Sequence, residues 1–187
     1  IQCKIKSYLL RKGVKYGKLW NEKTLSTLAQ EDQDIQNLIN VYNSLKKEEK
    51  EVMKRIKQVA RNRKETTLLM SIPGIAEFSS LMILAEIGDI QRFRSPKELV
   101  SYAGLCRGIY QSASTERSVL NTAVNKWLKW IIYECSGRAI MLDQRFQQYF
   151  YPIQKRKGAN TARRATARKM LTIIWYMLTN KETYRAS

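Results

Sequence analysis

Residues 68–93 read LLMSIPGIAEFSSLMILAEIGDIQRF. Two apolar stretches of helical length are split by Ser71-Ile72-Pro73-Gly74-Ile75, and a Pro-Gly pair between periodic segments marks a tight turn. The second helix is expected from about Glu77 to Ile87, with Gly88 as its stop. Ser95 followed by Pro96 supplies an N-cap and an N1 proline, which start a further helix to about Tyr102. Only three prolines and eight glycines punctuate the 187 residues, so the expected fold class is mainly α.

Toward the C-terminus, residues 101–118 read SYAGLCRGIYQSASTERS. The segment 103–118 holds Gly104, Gly108 and many hydroxyls; it reads as a loop, with strand character confined to Gly108–Gln111. Helical periodicity returns from about Asn121. Val124, Trp127, Leu128, Ile131, Ile132 and Cys135 form an apolar stripe, with Lys126, Lys129, Trp130 and Tyr133 on the opposite side. A last helix is expected from about Asn160 to Asn180. Its stripe is Ala167, Leu171, Ile174 and Leu178, widened by Met170, Ile173 and Met177.

Toward the N-terminus, residues 2–12 fit a short basic helix closed by Gly13. Gly17 and Asn21 bracket a loop, and Asn21 caps a second short helix through about Ala29. Ile35, Leu38, Tyr42, Leu45, Glu49, Val52, Ile56 and Val59 then alternate spacings of three and four, a heptad seam with one polar interruption at Glu49. A helix of roughly 30 residues cannot bury such a seam alone. Either it pairs with another helix as a coiled-coil arm, the reading preferred here, or it lies along a globular domain. Residues 1–66 are therefore expected to form linker helices and a coiled-coil arm that makes a homo-oligomer. Residues 67–187 are expected to form a compact helical domain.

Lys+Arg 34 against Asp+Glu 16 leaves a net charge of +18. So large an excess points to a polyanionic partner, and nucleic acid is preferred over a basic protein soluble for its own reasons. No apolar run approaches the roughly 18 residues of a spanning helix, and no segment reads as a basic membrane-surface helix. No membrane partner is expected. Three scattered cysteines without a CxxC pair, and no histidine at all, argue against a zinc site. Free thiols in a reducing cytosol are the simplest account. The chain starts at Ile1 without a signal-peptide pattern, so further sequence upstream is expected.

Three features bear on chemistry. The Ile72-Pro73-Gly74-Ile75 turn resembles a helix-hairpin-helix, in which backbone N–H groups at a glycine turn meet a DNA phosphate; an ordinary helix–helix turn is the alternative. Residues 144–181 contain no Asp or Glu, and carry Lys155, Arg156, Lys157, Arg163, Arg164, Arg168 and Lys169. A merely solvated face usually mixes both signs, so this stretch reads as a nucleic-acid contact. The Lys126, Lys129, Trp130 and Tyr133 face suits bases and phosphates or a packing partner. Ser112 lies among Arg107, Arg117, Lys126 and Lys129. Without histidine it cannot belong to a Ser-His-Asp triad, and phosphate chemistry aided by cations is what remains open to it. Most serines in such loops do no chemistry, and the spacing alone does not distinguish this one.

Taken in order, IPGI, AEIGDIQRF, SYAGL, YQS, NKWLKW and ARKMLTIIWYMLTNKETY resemble the C-terminal transposase domain of the insertion sequence 110/116/902 family. The resemblance runs from residue 67 to about 184. Residues 1–66 are similar to the linker and coiled coil that precede that domain. It implies a DNA recombinase that excises and inserts a mobile element through a serine nucleophile, working as an oligomer and in some members with a structured guide RNA. Ser112 matches the family's serine, with Arg107 and Arg117 as candidate phosphate activators. The family's acidic, metal-binding residues lie on an N-terminal RuvC-like domain that these residues do not include, so no cofactor is expected here. A prokaryotic, cytoplasmic, nucleoid-associated location follows. The sequence departs from the family pattern at Ala113 (glycine), Arg107 (proline), Val124 (glycine) and Lys129 (arginine). A non-catalytic nucleic-acid-binding module, built on the Gly74 turn and the basic helix, is the rival reading.

Overall fold

The computed structural model describes residues 1–14, 19–106, 108–112, 115–119 and 124–184, with 108–112 and 115–119 described by their backbone. The chain divides into two compact units, Ile1–Arg55 and Ile56–Ser187.

The first unit holds α1 (Gln2–Arg11), α2 (Glu22–Glu31) and most of α3 (Gln33–Arg61). Ile5 and Leu9 stand one turn apart on α1, Leu25 and Leu28 on α2, and Ile35 and Ile39 on α3. With Leu19 they close a small core. Asn21 caps α2 as expected, its Oδ1 accepting from the Lys23 N–H at 3.4 Å. Asp32 separates α2 from α3. It accepts the Tyr8 hydroxyl at 2.8 Å and the Asp34 N–H at 2.9 Å, and lies 3.4 Å from Lys12 Nζ. The Tyr8 hydrogen bond holds its carboxyl below the ordinary carboxylate value. The α3 seam is thus part covered and part open. Ile35 is buried and Leu38 and Tyr42 are half-buried against this core, whereas Leu45 and Val52 are exposed.

The second unit contains α4 (Lys64–Met70), α5 (Glu77–Ile87), a 3₁₀ turn at Ile90–Arg92, α6 (Pro96–Tyr102), strands β1 (Gly108–Ser112) and β2 (Thr115–Val119), α7 (Lys126–Leu142), α8 (Gln144–Lys157) and α9 (Ala159–Asn180). The α5 and α6 boundaries are those expected from Glu77, Gly88, Ser95 and Pro96. Helix α9 is the central element, packing on α4, α6, α7, α8 and the 3₁₀ turn. Ala167, Met170, Leu171 and Ile174 are fully buried, as the stripe requires.

Four expectations are corrected. Residues 144–157 form α8, which no periodicity announced. Pro152 sits inside it, and only Phe146 and Phe150 are buried. Helix α7 begins at Lys126 rather than near Asn121, because Asn125 is its N-cap and accepts from the Leu128 N–H at 2.8 Å. Trp127, expected in the apolar stripe, is 64% exposed, while Leu128, Ile131, Ile132 and Cys135 are buried. The loop expected at 103–118 contains an antiparallel hairpin that continues to Val119.

Two connections hold the ends of this unit together. Asp143 ends α7 and caps α8, accepting from the Arg145 N–H at 2.7 Å. Beyond α9, the Tyr184 N–H donates to Ser71 Oγ at 2.9 Å and its hydroxyl to Asp143 Oδ2 at 2.8 Å. The Tyr184 ring stacks on Phe146 at 6.3 Å. Burial, and then the Asp143 carboxylate, push the Tyr184 hydroxyl above the ordinary tyrosine value.

Candidate nucleic-acid interface

Ser112 closes strand β1 and pairs with Thr115, while Tyr110 pairs with Arg117. Strand residues two apart share a face of the pleat, and directly paired residues share it too. Positions 110, 112, 115 and 117 therefore fall on one face of the ribbon. Arg107, Ala113 and Ser114 lie outside the described residues.

The segment carrying this hairpin is clamped at both feet. Gly104 has φ +66°, and a Cβ there would meet Val124 Cγ1 at 2.7 Å and its Cβ at 2.8 Å. Val124, where the family pattern has glycine, thus fills the space beside Gly104. Next to it, the Asn125 N–H donates to the Tyr102 carbonyl at 2.9 Å. Asn125 Nδ2 donates to Glu86 Oε2 at 2.6 Å and to the Tyr102 hydroxyl at 3.0 Å, and that hydroxyl donates to the Glu86 carbonyl at 3.3 Å. The Asn125 bond, and then Arg92 with its guanidinium 4.6 Å from the Tyr102 ring centre, lower the tyrosine's pKa. Glu86, Tyr102 and Asn125 come from three separate sequence motifs. Each is a polar group in an apolar neighbourhood, the one signal that marked them as partners; no periodicity links them.

Gly74 has φ +95°, and a Cβ there would sit 2.8 Å from both Ala139 N and Cys135 O of α7. The structure gives this glycine a packing reason: α7 crosses the turn too closely for any side chain. At the start of α5 the Ala76 N–H donates to Ser79 Oγ at 2.8 Å. Cys135, beneath the turn, is buried, which pushes its thiol up; Cys3 and Cys106 are exposed.

On the outer side of α7, Lys126 is exposed and Lys129 half-buried. Trp127 and Trp130 meet edge to face at 6.3 Å, with Trp130 46% exposed.

The basic stretch splits on folding. Arg156 and Lys157 of α8 and Arg164 and Arg168 of α9 line one cleft of about 500 Å³, with Asn160 and Thr161. Lys155 and Arg163 are exposed and do not line it. Arg168 Nε is buried without a hydrogen-bond partner. Buried guanidinium nitrogens are normally satisfied, so this one is set to receive an acceptor. Elsewhere Lys12 pairs with Asp32 and Arg61 with Glu77.

A family model for the transposase IS116/IS110/IS902 family matches residues 66–151. Over these residues the chain is similar to that family. The matched span runs from α4 into α8 and contains the hairpin, its clamp and Lys126 and Lys129. A curated relative, the transposase for insertion sequence element IS1111A of Coxiella burnetii (strain RSA 493 / Nine Mile phase I), is 28% identical over 136 residues, covering 70% of this chain. The chain spans 37% of that relative's length. No three Cys, Asp or Glu gather among the described residues. No helix among them is long and apolar enough to cross a membrane.

Proposed function

We propose that this chain is the strand-exchange part of a DNA recombinase of a mobile insertion element, with Ser112 as nucleophile. The observation that carries the reading is the family match across the hairpin, whose span includes Ser112. In the proposed step Ser112 Oγ loses its proton and attacks a backbone phosphorus. An Oγ–P bond forms, a P–O bond to deoxyribose breaks, and the leaving oxygen takes a proton. Attack by another deoxyribose hydroxyl reverses the step and rejoins the strand. The transition state gathers negative charge, and fixed cations stabilise it; one such donor is worth about 10²–10³ in rate. Arg117 and Arg107 take that role, with Lys126 and Lys129 in support. The open part of the α3 seam, Leu45 and Val52, pairs with other copies as a coiled coil. A structured guide RNA, a metal-bearing upstream domain and a nucleoid location belong to the same reading.

The basic cleft favours a second reading, a nucleic-acid-binding module in which Ser112 is a bystander, because its cations stand ready without any reaction. Ser112→Ala in the full-length protein separates the two. The recombinase reading requires DNA binding to survive while covalent protein–DNA product disappears. Covalent product persisting in the variant rules out Ser112 as nucleophile.

A further inference from the structure

The cleft described above does not end at Arg168. A second cleft lined by Tyr149, Lys169, Thr172 and Tyr176 shares Ala165 and Arg168 with it. A third, toward Tyr184, shares Lys169, Ile173 and Tyr176 with the second. Through these shared residues the three clefts follow one another along α8 and α9, and together they are called the groove below. Its α9 wall is the series 161, 164, 168, 172, 176, spaced three then four apart, which is one face of a helix. Arg164 to Tyr176 spans twelve residues, about 18 Å of helix. At roughly 3.4 Å per nucleotide, the rise of a fully stacked strand, that distance holds at most about five nucleotides, and fewer once bases are splayed.

The groove changes character along its length. Arg156, Arg164 and Arg168 crowd one end, and Arg168 Nε has no partner there. Farther on, Lys169 Nζ lies 4.3 Å from the Tyr149 ring centre, and Tyr176 is 50% exposed. Glu182, at the far end, is the one acidic residue on these walls. A duplex offers such rings no base faces, since its bases are stacked inward and only their edges reach the grooves. Rings set among cations inside a groove are what splayed bases of an unpaired strand can use.

We propose that the α8–α9 groove holds an unpaired nucleic-acid strand. Arg156, Arg164, Arg168 and Lys169 meet its phosphates, and Tyr176 and Tyr149 stack on its bases. The proposal rests on the reading of the chain as a nucleic-acid-handling protein, and it adds the strandedness of the ligand and the rings that sense it.

The test is fluorescence anisotropy of the chain with three labelled probes of about twelve nucleotides, a length within the usual site range: oligothymidylate, oligouridylate and a blunt DNA duplex. Tyr176→Ala is expected to weaken single-strand binding about tenfold to a hundredfold while changing duplex binding by less than about twofold. Tyr176→Phe, which keeps the ring, restores it. Tyr176 is half exposed, so the variant folds, and a thermal melt checks this. Arg156→Ala is expected to flatten the single-strand salt dependence by about 0.7 in log–log slope. The ratio of the two single-strand affinities tells DNA from RNA as the natural source. Equal loss on the duplex, or no loss on either strand, overturns the proposal. Failure of the unaltered chain to bind any probe overturns it together with the nucleic-acid reading beneath it.

Discussion

Gly104→Ala puts a methyl group where Val124 already is. The new Cβ lies 2.7 Å from Val124 Cγ1, 2.8 Å from its Cβ and 3.1 Å from Cγ2, at a backbone φ of +66°. The left-handed conformation costs a non-glycine residue about 1–2 kcal/mol. Overlap in a packed site adds about 1–3 kcal/mol. The variant should therefore lose about 2–5 kcal/mol of stability. Val124→Gly removes all three carbons in the way. Alone, it costs about 1–2 kcal/mol through lost methyl contacts and added backbone freedom. In the double variant the overlap is gone and only the conformational cost at 104 remains. The two effects should then fall short of their sum by about 1–3 kcal/mol, the overlap part. Urea titration followed by far-UV circular dichroism measures all four corners of the cycle. Additivity to within about 0.5 kcal/mol would mean the two residues do not press on each other, and the clamp at the feet of the hairpin would be wrong.

Gly74→Ala should cost about 2–5 kcal/mol in a thermal or urea melt, since its Cβ meets the backbone of α7. Gly88→Ala, also at positive φ but with nothing within 4 Å, should cost less. Equal losses would refute the close approach. Leu171→Ala, fully buried, should cost about 2–5 kcal/mol, whereas Trp127→Ala should stay within about 0.5 kcal/mol. The reverse order would restore Trp127 to the core. Tyr184 has its hydroxyl pKa raised above the ordinary 10.0, so its contribution is full below that pH and is lost as pH rises through the folded-state value. Tyr184→Phe should thus flatten the alkaline fall in melting temperature, and an unchanged slope would sink that assignment. If six to ten phosphates are neutralised, DNA affinity should fall about 10³–10⁵ from 50 to 200 mM salt. A flat titration removes the polyanion reading.

Much of the helical order was legible because local chemistry punctuates it. Asn21, Gly88 and the Ser95-Pro96 pair each act on the backbone within a turn of where they stand, and the α2, α5 and α6 limits followed from them. Helix α8 was not legible. Its two buried phenylalanines are too few for a stripe, and Pro152 argued against a helix that tertiary packing nevertheless holds. Trp127 has the right period for the core but the wrong angle, a distinction that only the neighbours of α7 settle. The clamp shows the same limit more sharply. Glu86, Tyr102 and Asn125 were each inside a motif, yet their meeting depends on α5, α6 and α7 converging. The cations were visible as a run, but folding divides them: Arg164 and Arg168, one turn apart on α9, meet Arg156 across the cleft, while Lys155 and Arg163 face elsewhere.

Asp143 is both the last word of α7 and the first of α8, so no spacer exists between those rods. Adding one residue at that elbow would part the end of α7 from the cap of α8, two tasks that one residue now performs. Phe146 and Phe150, buried just beyond it, would be shifted against the interior that holds them, and the α8 wall of the cleft, Arg156 included, would shift with them. Core and cation groove are geared through a single carboxylate, and anyone grafting or lengthening this protein should cut at another point.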